Sequence, residues 1–312
     1  MLLLYLGNFL KPWTTETHIK ASFESLGHTV IPLQEGKIDN QIIFNAIKKY
    51  NPDFLLYTKT WNKEYDWKEI KSRVFTVSWT LDLYHNLDRK DQLDNNPFFH
   101  THLVISPDGG HEKEFKEHKV NHAYVKPGVY DKECYIGKYD NEFDYPIVFV
   151  GSYLVYHKEW THRKALIDFL FKNYPGRFDC FPKDRAIRGD TLNNLYATAK
   201  IIVGDSLYSP HYWSDRLYET TGRGGFLIHP KVEGIDEEFE YGTHIVGYNY
   251  WDFEGLKKKI DYYLEHEDER RQIQMAGHEM VKENCTYVVR CQEVLQKIQY
   301  EKAKLWGGKG LV

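Results

Sequence analysis

Short apolar runs alternate with amphipathic stretches along almost the whole chain. In the first half, apolar runs at 2–6, 29–33, 54–57, 74–79 and 103–106 predict buried strands. Helical spacing at 16–26, 41–50, 67–72 and 110–118 predicts helices between them. A strand followed by a helix, repeated, predicts a parallel sheet with crossover helices, and such sheets bind ligands at the carboxyl ends of their strands. The loops at 7–15, 80–91 and 108–111 are therefore the places to look for chemistry. A short apolar run at 123–125 ends in Lys126-Pro127-Gly128, and polar sequence follows as far as Pro146. Then the alternation restarts. Strands are expected at 147–150, 177–181, 201–204, 226–229 and 243–246. Helices are expected at 161–173, 192–199, 215–221, 253–265, 267–283 and 287–304. The pattern predicts an α/β protein of two Rossmann-like domains, residues 1–140 and 141–290, facing each other across a cleft. The final segment, 291–312, is long enough to cross back onto the first domain.

Composition narrows the class. A chain of 312 residues, 28% charged and 42% hydrophobic, has the balance of a globular protein with room for two cores. The formal net charge of −4 supplies no global field to draw it onto nucleic acid or an anionic membrane. The opening MLLLYLGNFL lacks the basic flank and small-residue cleavage site of a secretory signal, and reads as a buried first strand. No stretch reaches membrane length. Cys134, Cys180, Cys285 and Cys291 form no CxxC pair and no zinc spacing, which suits free thiols and a cytoplasmic location.

The most informative stretch runs from Tyr208 to Ile228. Ser214 is a good helix cap, and the helix it opens lies between two strands, so its positive end suits a phosphate. Arg216 and Glu219 are three apart and share a face: a cation for a diphosphate and a carboxylate for ribose hydroxyls. Gly222, Gly224 and Gly225 let the chain turn into the next strand. On spacing alone, the same residues read more readily as an exposed Arg–Glu pair on an ordinary helix.

A resemblance separates the two readings. The segment Ser214, Arg216, Glu219 and Gly224-Gly225-Phe226-Leu227-Ile228 resembles the donor-site helix of GT-B glycosyltransferases. It is most similar to the glycosyltransferase domain of the CgeB-like (spore maturation protein) family, a family 1-like C-terminal domain, whose pattern is Ser-x-Arg-x-x-Glu before a glycine-rich turn. Ile147-Val148-Phe149-Val150-Gly151-Ser152-Tyr153 resembles that family's opening strand and Gly-Ser loop, and Arg163 stands where the family often has an arginine. The run from Leu195 to Ile202 resembles its entry to a strand, and the segments from Phe239 to Val246 and Tyr263 to Gly277 resemble its C-terminal elements. The similarity covers roughly residues 146 to 295; over the first half only the alternating pattern is shared.

The resemblance implies a GT-B enzyme that binds a nucleoside-diphosphate sugar against its C-terminal domain and the acceptor against the N-terminal one. It implies that Glu219 holds the ribose and that Arg163, Arg216 and the Gly151-Ser152 loop face the diphosphate. It places the base near Cys180-Phe181, with Arg188 as a further candidate, and has Gly7 and Asn8 close over the sugar phosphate. UDP is favoured over GDP, and neither a metal nor another cofactor is implied. The acceptor hydroxyl is left open between a glycan, a protein and a modified DNA base, and the chain between monomer and homodimer. Asp82 and His85 follow a predicted buried strand and are the candidate catalytic residues; a helix cap and a surface histidine are their alternatives. Glu16 and His18, on the first helix, form a second set. The competing functions are a sugar-nucleotide epimerase and a non-catalytic binding protein of the same fold.

Overall fold

The computed structural model describes residues 1–58, 65–81, 92–152, 160–182 and 187–305. It divides into two compact units, 1–126 with 287–312, and 127–286. The border between Lys126 and Pro127 lies ahead of the expected one at residue 140, and the return to the first unit comes at Tyr287.

The first unit is built on a six-stranded parallel sheet. Its strands are β1 (Leu2–Gly7), β2 (Thr29–Gln34), β3 (Phe54–Thr58), β4 (Thr76–Trp79), β5 (Leu103–Ser106) and β6 (His122–Tyr124), in the order β2-β1-β3-β4-β5-β6. The apolar run at 123–125, ascribed to no element from sequence, contributes most of β6. Helices α1 (Thr15–Ser25), α2 (Asn40–Tyr50), α3 (Trp67–Arg73), α4 (Gln92–Asn95) and α5 (Glu112–Glu117) fall between the strands. Their starts follow local chemistry: Thr14, Asp39 and Asp66 each accept a backbone N–H from the first turn of the helix they precede. Leu3, Leu4, Leu6, Phe54, Leu55 and Leu56 are fully buried, as strands covered on both faces require.

The second unit repeats the winding. Its strands are β7 (Ile147–Val150), β8 (Phe178–Phe181), β9 (Ile201–Val203), β10 (Leu227–Pro230) and β11 (Val246–Tyr248), in the order β11-β10-β9-β7-β8 and all parallel. Helices α6 (Thr161–Asn173), α7 (Asp190–Thr198), α8 (Arg216–Gly222), α9 (Phe253–Glu265) and α10 (Glu267–Asn284) complete it. Residues Ile147 and Phe149 enter one apolar cluster, while Val148 and Val150 enter the other, so four consecutive apolar residues serve two faces. The last strand comes later than the expected 243–246, because the stretch before it is a turn in which Gly242 N–H bonds Ile245 O at 2.8 Å. Helix α11 (Tyr287–Leu305) belongs to the first unit, where Asn121 Nδ2 donates to Glu301 Oε2 at 2.8 Å and Lys302 Nζ to Asp53 O at 2.9 Å. Among the described residues no helix is long and apolar enough to cross a membrane.

Two features of the second unit carry measurable consequences. Helix α8 stops at Gly224, whose φ of +78° is the left-handed conformation of a helix terminator. Gly225 N–H reaches Thr220 O at 2.8 Å and Gly224 N–H reaches Thr221 O at 3.0 Å, which satisfies two end carbonyls. A Cβ on Gly224 would also stand 2.5 Å from Ile136 Cγ1. Gly224→Ala is expected to destabilise the protein by about 2 kcal/mol, read as a lower urea midpoint.

His229, on β10, is 1% exposed, and its Nδ1 lies 2.8 Å from Pro230 O. Burial pushes its pKa down to about 4. The folded state therefore resists the proton that the unfolded chain accepts near pH 6.5, so this contribution is complete above that pH and is lost as pH falls from 6.5 towards 4. The loss amounts to about 3 kcal/mol. Urea midpoints taken between pH 7 and 4 are expected to fall more steeply for the native chain than for His229→Gln.

Candidate donor site of the second unit

The strand order of the second sheet reverses between β7 and β9, the point at which open α/β sheets leave a crevice for ligands. Strand β7 ends at Gly151, whose N–H bonds Phe181 O at 2.7 Å. A Cβ on Gly151 would stand 3.0 Å from the Phe149 ring and 3.5 Å from Arg216 Nη1, so the glycine leaves room for the arginine beside it. Strand β9 runs into Gly204 and Asp205. Gly204 is needed for a similar reason, since a Cβ there would meet the His229 ring at 2.7 Å.

Asp205 is 1% exposed. One carboxylate oxygen accepts from His162 Nδ1 at 2.7 Å and the other from Arg163 Nε at 2.9 Å, both donors standing in the first turn of α6. Its backbone carbonyl accepts from Arg216 Nη2 at 3.3 Å. Burial alone would raise the Asp205 pKa, but the His162 hydrogen bond and the Arg163 charge outweigh it and hold the carboxyl below its ordinary value. Arg163 lies over the Trp160 ring, 4.0 Å from its centroid, and its Nη1 reaches Ser152 O at 3.5 Å. Burial, and then the charge of Arg216, push the Arg163 pKa down. Two guanidinium groups so close favour a negative charge between them.

The polar atoms left over define what fits. Arg163 Nη2, Arg216 Nε and His162 Nε2 are buried and have no hydrogen-bond partner among the described residues. Buried guanidinium donors are expected to be satisfied, so the two arginine groups point to an anion with several acceptor oxygens. The first turn of α6 adds backbone N–H groups, and Trp160 before it offers no side-chain cap.

Helix α8 departs in detail from the expectation. It is assigned from Arg216, with Asp215 already helical at φ −50° and ψ −27°. The capping contact is Arg216 N–H to Ser214 Oγ at 3.3 Å. Arg216 and Glu219 do not act as a pair. Arg216 turns towards Asp205 and Gly151, whereas Glu219 Oε2 accepts from Arg223 Nε at 2.6 Å. Arg223 also binds Glu133 and the side chain of Asn193, and the two carboxylates hold its pKa above the ordinary value despite burial. Burial raises the Glu219 pKa, although Arg223 opposes it. The Glu219 side chain as a whole is 20% exposed.

The remaining sequence candidates have contacts of their own. Gly224 has the backbone role described above. Phe181 is buried against Phe143 and Tyr145, and its carbonyl is taken by Gly151. Arg188 is exposed and folds back to the Ile187 carbonyl at 2.9 Å. Gly7 and Asn8 lie in the first unit, where a Cβ on Gly7 would meet Glu16 Cγ at 2.8 Å and Thr58 Oγ1 at 2.9 Å. Asn8 Oδ1 is used locally, accepting from Leu10 N–H at 3.1 Å. Asp82 and His85 fall outside the described residues. Sequence reasoning missed Asp205, His162 and Arg223. Asp205 had a legible signal: it directly follows a predicted strand, at the end where such sheets place their ligands.

Comparison with known proteins agrees with this architecture. A search of curated proteins by sequence finds no match. Among solved structures, a glycosyltransferase from Rickettsia africae superposes with a TM-score of 0.65 at 14% identity, covering 96% of this chain and 98% of that one. Anabaena HepE in complex with UDP-glucose gives 0.65 at 14% identity, covering 96% and 100%. Sucrose-phosphate synthase from Thermosynechococcus elongatus gives 0.63 at 12% identity, covering 97% and 99%. At such identities these likenesses establish the fold, which is the expected GT-B class of α/β protein. The glycosyl transferase-like family model matches residues 140–296, half of the chain and nearly all of the second unit. The chain belongs to the glycosyl transferase-like family.

Proposed function

We propose that the protein transfers a sugar from a UDP-sugar to an acceptor hydroxyl without a metal ion, and that the switch point of the second sheet holds the donor diphosphate. The carrying observation is a pair of arginines, Arg163 buried and Arg216 partly exposed, whose buried, unpartnered Nη2 and Nε groups adjoin the start of α6. As the bond from the sugar to the β-phosphate breaks, negative charge grows on the departing diphosphate. Fixed guanidinium donors in a site of low dielectric stabilise that charge without reorganising. Gly151 and Ser152 supply backbone close to the same groups. Glu219, held by Arg223, is the ribose acceptor in this reading. Anabaena HepE, of the same fold, binds UDP-glucose, which favours uridine among the nucleotides. The four free cysteines fit a reducing compartment, and the reaction is assigned to the cytoplasm. The acceptor class, whether glycan, protein or modified DNA base, is left to the assay.

Calorimetric titration with UDP, GDP, ADP, CDP and dTDP tests the donor. UDP is expected to bind tightest, and Arg163→Ala and Arg216→Ala are each expected to weaken it about 10- to 100-fold. Glu219→Ala is expected to abolish the preference for UDP over 2′-deoxy-UDP. If both arginine variants keep full affinity, the diphosphate lies elsewhere and the assignment is wrong. Incubation with UDP-glucose alone distinguishes the functions: slow release of UDP and glucose, unaffected by EDTA, is expected. Conversion of the sugar to its epimer would instead identify an epimerase, and no turnover under any condition a binding protein.

A further inference from the structure

Asp205 was absent from the expected donor set, yet it is hydrogen-bonded to His162, Arg163 and Arg216. A carboxylate only accepts hydrogen bonds, so His162 Nδ1 and Arg163 Nε must both donate to it, at 2.7 and 2.9 Å. The guanidinium is planar, so fixing Nε and resting Nη1 near Ser152 O also fixes the direction of Nη2. The imidazole is fixed just as fully. Its Nδ1 carries the proton, its ring stacks on Tyr250 at 4.1 Å and 15°, and the edge of Trp251 stands 5.0 Å away. Arg163 Nη2 and His162 Nε2 are what remain, on side chains 3% and 1% exposed, and neither has a partner among the described residues.

We infer that Asp205 is the positioning residue of this anion site: its carboxylate aims Arg163 Nη2 at the diphosphate and holds the His162 ring in place, while the Asp205 carbonyl steadies Arg216. The inference rests on the donor assignment above and adds to it. Asp205 itself does not touch the ligand. It acts through Arg163, in the way outer-shell carboxylates orient the histidines that bind metals. Its effect is therefore confined to the phosphate end of the donor and leaves the nucleoside end alone.

The test compares UDP with uridine, which lacks the diphosphate, on the full chain by calorimetry. Asp205→Asn keeps the shape and removes the charge. It is expected to lower UDP affinity about tenfold or more while uridine affinity is unchanged. Arg163→Gln is expected to do the same. The double variant is expected to lose little more than Arg163→Gln alone, because the two residues act as one unit; an effect through general loosening of the fold would add in full and would lower uridine affinity too. Unchanged UDP affinity in Asp205→Asn, with loss in Arg163→Gln, overturns the inference and leaves the donor assignment standing. Unchanged affinity in both, and in Arg216→Ala, overturns the donor assignment itself. Should Asp205→Asn fail to fold, Asp205→Glu decides, because it keeps the charge but displaces it. A loss of UDP affinity alone supports the inference, and full affinity overturns it.

Discussion

A carboxylate buried at the end of a central strand cannot be left half-paired, and Asp205 shows what that constraint does to its surroundings. An unpaired interior charge costs several kcal/mol, so its two oxygens require donors close by. The first turn of α6 supplies them as adjacent residues, His162 and Arg163. Two consecutive side chains reaching one carboxylate fix how α6 is rotated about its axis. That rotation directs the helix start and the spare guanidinium nitrogen to one place. Gly151 and Gly204 belong to the same constraint, because a side chain on either would displace Phe149 or His229 and close the space the arginines occupy.

A second network surrounds Glu219. Arg223 is 2% exposed and lies between Glu219 of α8 and Glu133 of the segment ahead of β7. Asn193 of α7 joins it, and its amide also donates to the carbonyls of Glu133 at 2.9 Å and Tyr135 at 2.7 Å. These bonds tie the stretch from Pro127 to Pro146 into the second unit, although its polar composition reads as a linker. They also explain why Glu219 parts from Arg216. A carboxylate four residues before an arginine on a helix meets it directly, and burial makes that pairing hard to give up.

The strands and helices were largely legible because each uses a periodicity that the sequence displays. β7 is four apolar residues in a row, α9 has an aspartate cap and an apolar stripe, and α8 ends in glycine. What could not be read is direction. Arg216 and Glu219 share a helix face by count, yet one side chain turns to Asp205, eleven residues upstream, and the other to Arg223, four downstream. The partners of Asp205 are 43 and 42 positions away in sequence, brought near only by the order in which β7 and β9 lie side by side. At the Cys180-Phe181 strand end, where backbone groups were expected to read the base, the Phe181 ring packs on Phe143 and Tyr145 and its carbonyl accepts from Gly151 N–H.

The two sheets share one winding order, β2-β1-β3-β4-β5 in the first unit and β8-β7-β9-β10-β11 in the second. Each therefore has a switch point, closed on one side by a glycine and on another by the first turn of the following helix. The charges at the two points are opposite. In the second unit they are Arg163 and Arg216. In the first they include Glu16, whose Cγ would crowd a Cβ on Gly7 and whose Oε1 accepts from Thr58 Oγ1 at 3.3 Å. Glu35, at the end of β2, has its pKa raised by burial and by the charge of Glu16. Topology alone offers two equivalent crevices; the described residues put carboxylates at the first and, at the second, guanidinium donors without a partner among the described residues. That ordering also suits the family match, which covers residues 140–296, the half in which the cations stand.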